Sequence, residues 1–250
     1  MRNIWGWIIG ILVAVGAGAT IVHFIQDQQP RHEARAPEPA PAPAAPTEGA
    51  KPEPGTTEGS KTVSLPKVEA TNSDLKITPE DYTLGKADAP VTFVEYASLT
   101  CPHCADFHTN VLPAVKTEFI DTGKVRMVYR DYPLDRLALA ASMIARCAGR
   151  DRYFGFVGAF FASQANWARD TNPLAALGRI ARVGGMTEQD VDMCLKNSTV
   201  EDAVVKERLQ GEKTFGVSAT PTLIIGGDKI SGGVTIEQFR AIVTKKLSKS

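Results

Sequence analysis

The chain lacks net charge: 28 lysines and arginines balance 28 aspartates and glutamates. A nucleic-acid binder would carry a basic excess, so the balance speaks against that partner. Cysteine is scarce, at four residues. Two of them form Cys101-Pro102-His103-Cys104, and no second Cys-x-x-Cys follows that could complete a paired zinc knuckle. The residue after Cys104 is Ala105 rather than the histidine that haem attachment needs. No internal repeat is apparent. Large apolar side chains are almost missing from residues 26–75, where nine prolines fall between Pro30 and Pro66. Such a segment has too little to bury to offset its ordering entropy, and proline keeps it extended. It reads as a tether.

What precedes the tether is the opposite in character. Residues 4–25 are apolar except for Thr20 and His23. About 20 such residues span a bilayer as a helix, so residues 1–25 read as a membrane anchor. Ala17-Gly18-Ala19 also has the small-residue form of a cleavage site, which keeps a removed signal segment open. Either reading exports the remainder.

The folded domain is expected over residues 76–250. Val91–Ala97 is a nearly continuous apolar run, the pattern of a strand covered on both faces. Phe107, Val111, Val115 and Phe119 recur every four residues and predict a helix, with Pro113 inside it as a kink. Val125–Tyr129 predicts a second strand, parallel to the first. A long helical region follows, over about 134–215, with apolar stripes at Leu137, Ala140, Ala141, Ile144 and Ala148, then at Tyr153, Phe154, Val157, Phe160 and Phe161. Thr187–Asp190 has the form of a capping box. Thr222–Ile225 and Lys229–Ser231 flank a Gly-Gly-Asp turn and predict a hairpin. Thr235 then caps a last amphipathic helix. The fold class is α/β with an inserted all-helical subdomain.

The chemistry concentrates at the strand-to-helix junction. A dithiol with this spacing, at a helix start, reads as a redox pair. Free N–H groups and the positive end of the helix dipole stabilise a thiolate there, and the thiolate is the nucleophile. Cys101 is the expected exposed nucleophile and Cys104, one turn in, the buried resolving thiol. His103 lies between them, where its imidazole would lower the thiol pKa. The alternative is a Cys/His metal module using Cys101, Cys104, His103 and His108; otherwise His108 reads as a helix-surface or groove residue. Glu95 sits inside the apolar strand. It serves proton traffic to Cys104, or it ends the strand facing solvent. In Ala219-Thr220-Pro221-Thr222, Pro221 is either a trans turn proline or a cis proline beside the dithiol, presenting Thr220 backbone groups to a substrate strand. Cys147 and Cys194 fall on apolar helix faces, as a structural disulfide favoured by export or as reduced core thiols.

Leu84-Gly85, Ala89-Pro90-Val91, Glu95-Tyr96-Ala97-Ser98, Cys101-Pro102-His103-Cys104 and Gly216-Val217-Ser218-Ala219-Thr220-Pro221-Thr222 together resemble the DsbA family of thioredoxin-fold thiol:disulfide oxidoreductases, over roughly residues 76–248. The resemblance implies a periplasmic oxidase that donates disulfides to exported proteins with free thiols. It implies no cofactor and re-oxidation by a quinone-linked membrane protein. It makes Cys101 the attacking sulfur, Cys104 the resolving one, Glu95 the buried acid and Pro221 a cis residue. The anchor would hold the domain at the bacterial inner membrane. Thr220 departs from the valine of the best-known members. Threonine there is shared with isomerases, so a reductase or isomerase is the alternative function, although no dimerisation domain is visible.

Overall fold

The structure is a computed structural model that describes residues 75–249. The expected anchor (residues 1–25) and all but the last residue of the expected tether (26–75) lie outside the described residues. Among the described residues, no helix is long and apolar enough to cross a membrane.

Five strands form one mixed sheet, β1 (Tyr82–Leu84), β2 (Val91–Ala97), β3 (Val125–Asp131), β4 (Thr222–Ile225) and β5 (Asp228–Ser231), in the order β1-β3-β2-β4-β5. Strands β2 and β3 are parallel, while β1–β3, β2–β4 and β4–β5 are antiparallel. The edge strand β1 has three half-buried residues and no apolar pattern, so periodicity did not reveal it.

Side chains alternate across β2 as strand geometry requires. Phe93 and Ala97 enter the larger core, whereas Val94 and Tyr96 enter a second cluster with Val128, Phe215 and Ile224. Glu95 therefore shares the face of Phe93 and Ala97.

The connection from β2 to β3 is helical but uneven. It comprises α1 (Pro102–Asp106), a π-helical turn (Phe107–Val111), α2 (Leu112–Val115) and a second π-helical turn (Lys116–Ile120). Pro113 lies in the first turn of α2, directly after the wide turn, where its missing N–H is tolerated.

Between β3 and β4 come α3 (Arg136–Cys147), α4 (Arg150–Ala162), α5 (Gln164–Trp167), α6 (Pro173–Val183), α7 (Glu188–Leu195) and α8 (Ser198–Phe215). Thr187 and Asp190 make a reciprocal capping box, as do Thr235 and Gln238 at α9 (Ile236–Leu247). Helix α9 packs back on the sheet, with Phe239 edge-on to Phe93 at 5.2 Å. Gly216 ends α8 in the left-handed region (φ 57°), which glycine adopts without a Cβ penalty, and so turns the chain into β4.

Buried charge joins the helical insertion to the sheet. Arg146 of α3 donates to Asp131 of β3 (2.7 Å) and to Glu207 of α8, which also accepts from the Asp131 backbone N–H (2.6 Å). Burial nonetheless pushes the Glu207 carboxyl up to about 8. Removing one member of such a set strands the others without partners. A disulfide between Cys147 and Cys194 closes α3 on α7.

Helix α8 approaches the sheet closely at Gly211, where a Cβ would lie 2.5 Å from a ring carbon of Tyr96. Tyr96 is fully buried and its hydroxyl is held by Arg130, so the ring has nowhere to move. Gly211→Ala is expected to destabilise the protein by about 1–3 kcal/mol despite its better helix propensity. Urea unfolding checks this, and an unchanged or raised midpoint would refute the close packing.

Candidate active site

Strand β2 delivers Cys101 to the end of the sheet, where it takes an extended conformation (φ −79°, ψ 120°) as the N-cap of α1. Pro102 is pre-set for the first helical position. The backbone N–H groups of His103 and Cys104 then face the Cys101 sulfur. Several contacts lower its thiol to about 5: chiefly the hydrogen bond from the Cys104 thiol, then Thr220 and those two N–H groups, all working against burial. Cys104 behaves oppositely. Burial first, the Cys101 bond second and the Glu95 charge third push its thiol far above the usual range. One sulfur is thus a ready thiolate and the other holds its proton.

The loop before β4 lies over this pair. The Thr220–Pro221 peptide is cis, and the Cys101 thiol donates to the Thr220 carbonyl at 3.3 Å. Cys101 is consequently only 4% exposed, not the open thiol that the helix-start pattern suggests. Among the described residues the Thr220 hydroxyl is buried and makes no hydrogen bond, although Thr220 is close enough to the Cys101 sulfur to favour its thiolate.

Glu95 does not face solvent. It is fully buried in mid-strand, with Oε2 2.8 Å from His108 Nε2 and Oε1 without a partner. The surface reading of His108 also fails. Its side chain is 4% exposed and lies against the Phe161 ring, 4.2 Å between centroids. Sequence spacing placed His108 on the helix but not the insertion that covers it. His103 remains exposed, and what it brings to the sulfur is its backbone N–H. Among the described residues no three His, Cys, Asp or Glu side chains converge as a metal site would require, so the four candidate ligands do not come together.

Two supporting residues escaped the sequence reading. Gln164 of α5 donates to the carbonyls of Leu99 (2.8 Å) and Cys101 (3.0 Å), fixing the turn into the dithiol. Asp135 accepts from Thr100 Oγ1 (2.7 Å) while capping α3. A Ser/Thr/Asp/Asn-type cap before α3 is a readable signal for Asp135. Gln164 has none, because nothing local marks a side chain that bonds 63 residues away.

This arrangement has known relatives. The sequence model of a family described as Thioredoxin matches residues 77–245. Alpha-DsbA1 of Wolbachia pipientis superposes with a TM-score of 0.67 and is 32% identical, the match covering 72% of this chain and 97% of that one. The chain belongs to the DsbA family. A putative protein-disulfide oxidoreductase of Rickettsia bellii is 28% identical over 186 residues, which cover 74% of this chain and 71% of the relative. Disulfide bond formation protein D of Bacillus subtilis is 26% identical over 169 residues, covering 66% and 76%. This DsbA-family protein is a thiol–disulfide oxidoreductase.

In a DsbA-family dithiol with these contacts, the stability of the reduced form depends on pH. Cys101 titrates at about 5 when folded, below the ~8.5 of an unfolded cysteine. Its thiolate contribution is therefore complete above about pH 8.5 and is lost as pH falls through about 5. Folded Cys104 keeps its proton across that window, and in the unfolded chain it begins to ionise only near the upper end. The stability of the reduced over the oxidised protein is expected to grow from pH 5 to pH 8, as measured by urea unfolding of each form. Thr220→Val should raise the Cys101 midpoint, because Thr220 is among the groups that favour the thiolate. Ultraviolet thiolate absorbance reads this directly, and an unmoved midpoint would remove the Thr220 hydroxyl from the account.

Proposed function

We propose that the protein is a dithiol oxidase that donates disulfides to exported proteins in the bacterial envelope. The observation that carries this reading is the unequal setting of the two sulfurs: Cys101 caps α1 beside the cis-proline loop, which lowers its thiol to about 5, while Cys104 is fully buried and holds its proton. Contacts that stabilise the Cys101 thiolate stabilise the reduced enzyme, which makes the disulfide a strong oxidant.

The reaction starts from the Cys101–Cys104 disulfide. A substrate thiolate attacks the Cys101 sulfur, the enzyme disulfide breaks, and Cys104 leaves as a thiolate that takes up a proton. A second substrate thiolate then attacks the substrate sulfur of the mixed disulfide, and Cys101 departs as the stabilised thiolate. The substrate has lost two electrons and the enzyme has gained them. Glu95 is the buried acid that exchanges the proton with Cys104. The Thr220–Pro221 segment offers backbone groups to an extended substrate chain, in the manner of strand addition. His103, exposed beside the sulfur, meets the incoming partner. A quinone-linked membrane protein would re-oxidise the dithiol, with residues 4–25 as the anchor that keeps the domain at the inner membrane. Cys147–Cys194 is structural. A reductase or isomerase would run the same exchange in the other direction, and the redox potential separates the two.

Equilibration of the full chain in glutathione buffers is expected to place Cys101/Cys104 near about −120 mV, the DsbA value. A potential near about −270 mV, like that of thioredoxin, would overturn the oxidase reading in favour of a reductase.

A further inference from the structure

The proton route to Cys104 has a component that the dithiol chemistry alone does not specify. Glu95 is a fully buried carboxylate in the middle of β2. Among the described residues, only Oε2 is bonded, to His108 Nε2 at 2.8 Å, while Oε1 has no partner. A carboxylate with a free buried oxygen is costly and calls for a reason.

The placement of His108 is unusual in three respects. It lies four residues after Cys104 in the π-helical turn Phe107–Val111, a widened turn of the kind that recurs at functional sites. Its ring lies 4.2 Å from that of Phe161 in the helical insertion and 5.7 Å, nearly perpendicular, from that of Tyr129 on β3, centroid to centroid. Tyr129 is opposite Glu95 in the β2–β3 register, and its hydroxyl is a second buried oxygen without a partner. Glu95 and Tyr129 are thus paired across β2–β3, His108 bonds the first and contacts the second, and the Glu95 charge acts on the Cys104 thiol.

We infer that His108 is a positioning residue: its Nε2–H holds Glu95 through Oε2 so that Oε1 stays free to exchange a proton with Cys104. The inference rests on the thiol-exchange reading above. In re-oxidation by oxidised glutathione, the Cys101 thiolate attacks one glutathione sulfur and a first glutathione thiolate leaves. The Cys104 thiol then passes its proton to Glu95 Oε1, and its sulfur attacks Cys101. The Cys101–glutathione bond breaks and a second glutathione thiolate leaves. The first step needs only Cys101. The second needs the Glu95–His108 pair.

The experiment resolves the two steps in the reduced full-length protein by rapid mixing with oxidised glutathione and acid quenching. Wild type, His108→Leu, His108→Gln, Glu95→Gln and the double variant His108→Leu/Glu95→Gln are compared. Formation of the mixed disulfide, and the Cys101 thiolate midpoint, should be unchanged in His108→Leu. Its resolution by Cys104 should slow about tenfold or more, the scale of a lost acid–base contribution. His108→Gln, which retains an N–H donor, should recover part of that loss. The double variant leaves no lone buried charge, so it tests the idea even if His108→Leu folds poorly. It should be no slower than Glu95→Gln alone, because the two residues act as a unit.

Resolution at the wild-type rate in His108→Leu would overturn the inference. So would equal slowing of both steps, or a double variant slower than Glu95→Gln by the full His108→Leu factor. Failure of the wild-type protein to form a mixed disulfide at all would instead remove the exchange reading, and this inference with it.

Discussion

The unequal division of one proton between two sulfurs governs the site. Cys101 caps a helix, and the first N–H groups of that helix together with the Cys104 thiol favour its thiolate. The same geometry that lowers one thiol raises the other, since Cys104 is buried and faces both the Cys101 sulfur and the Glu95 carboxylate. The effect needs the cysteines three apart at a helix start. It also needs a strand that places a carboxylate on the inner face and a loop that shields the upper sulfur. Each of those is a property of the α/β core.

The helical insertion is part of the same device. It is fastened to the sheet by Arg146 between Asp131 and Glu207, an arrangement that tolerates no missing partner. From that base it reaches the redox centre twice. Gln164 holds the carbonyls of Leu99 and Cys101, and Phe161 covers His108. A turn that carries a reactive thiol is held by groups from the far side of the chain, which keeps its geometry independent of the substrate. The price is that a change in α4 or α5 is felt at the dithiol.

Much of this was legible in the residues. The parallel pair β2–β3, the β4–β5 hairpin, the caps at Thr187 and Thr235 and the last helix follow from short apolar runs, a Gly-Gly-Asp turn, threonine caps and an amphipathic stripe. These signals are local, and local chemistry writes them directly. Of the alternatives open for each, Glu95 takes the core rather than solvent and His108 lies buried rather than on the helix surface; the ring that covers His108, Phe161, lies far away in sequence. β1 went unseen because three half-buried residues carry no period, and its place is decided by pairing with β3.

The sequence by itself determined the redox chemistry: two cysteines at a strand-to-helix junction, and a proline loop far downstream that belongs to the same family pattern. Spacing is enough for that, since three residues of helix bring Cys104 beneath Cys101. Only the tertiary structure decided which oxygen of Glu95 is free and what holds the other. It alone decided that the upper sulfur is shielded and that the insertion touches the site. Those outcomes depend on contacts between residues distant in the chain, and burial of a polar atom is a property of everything packed around it.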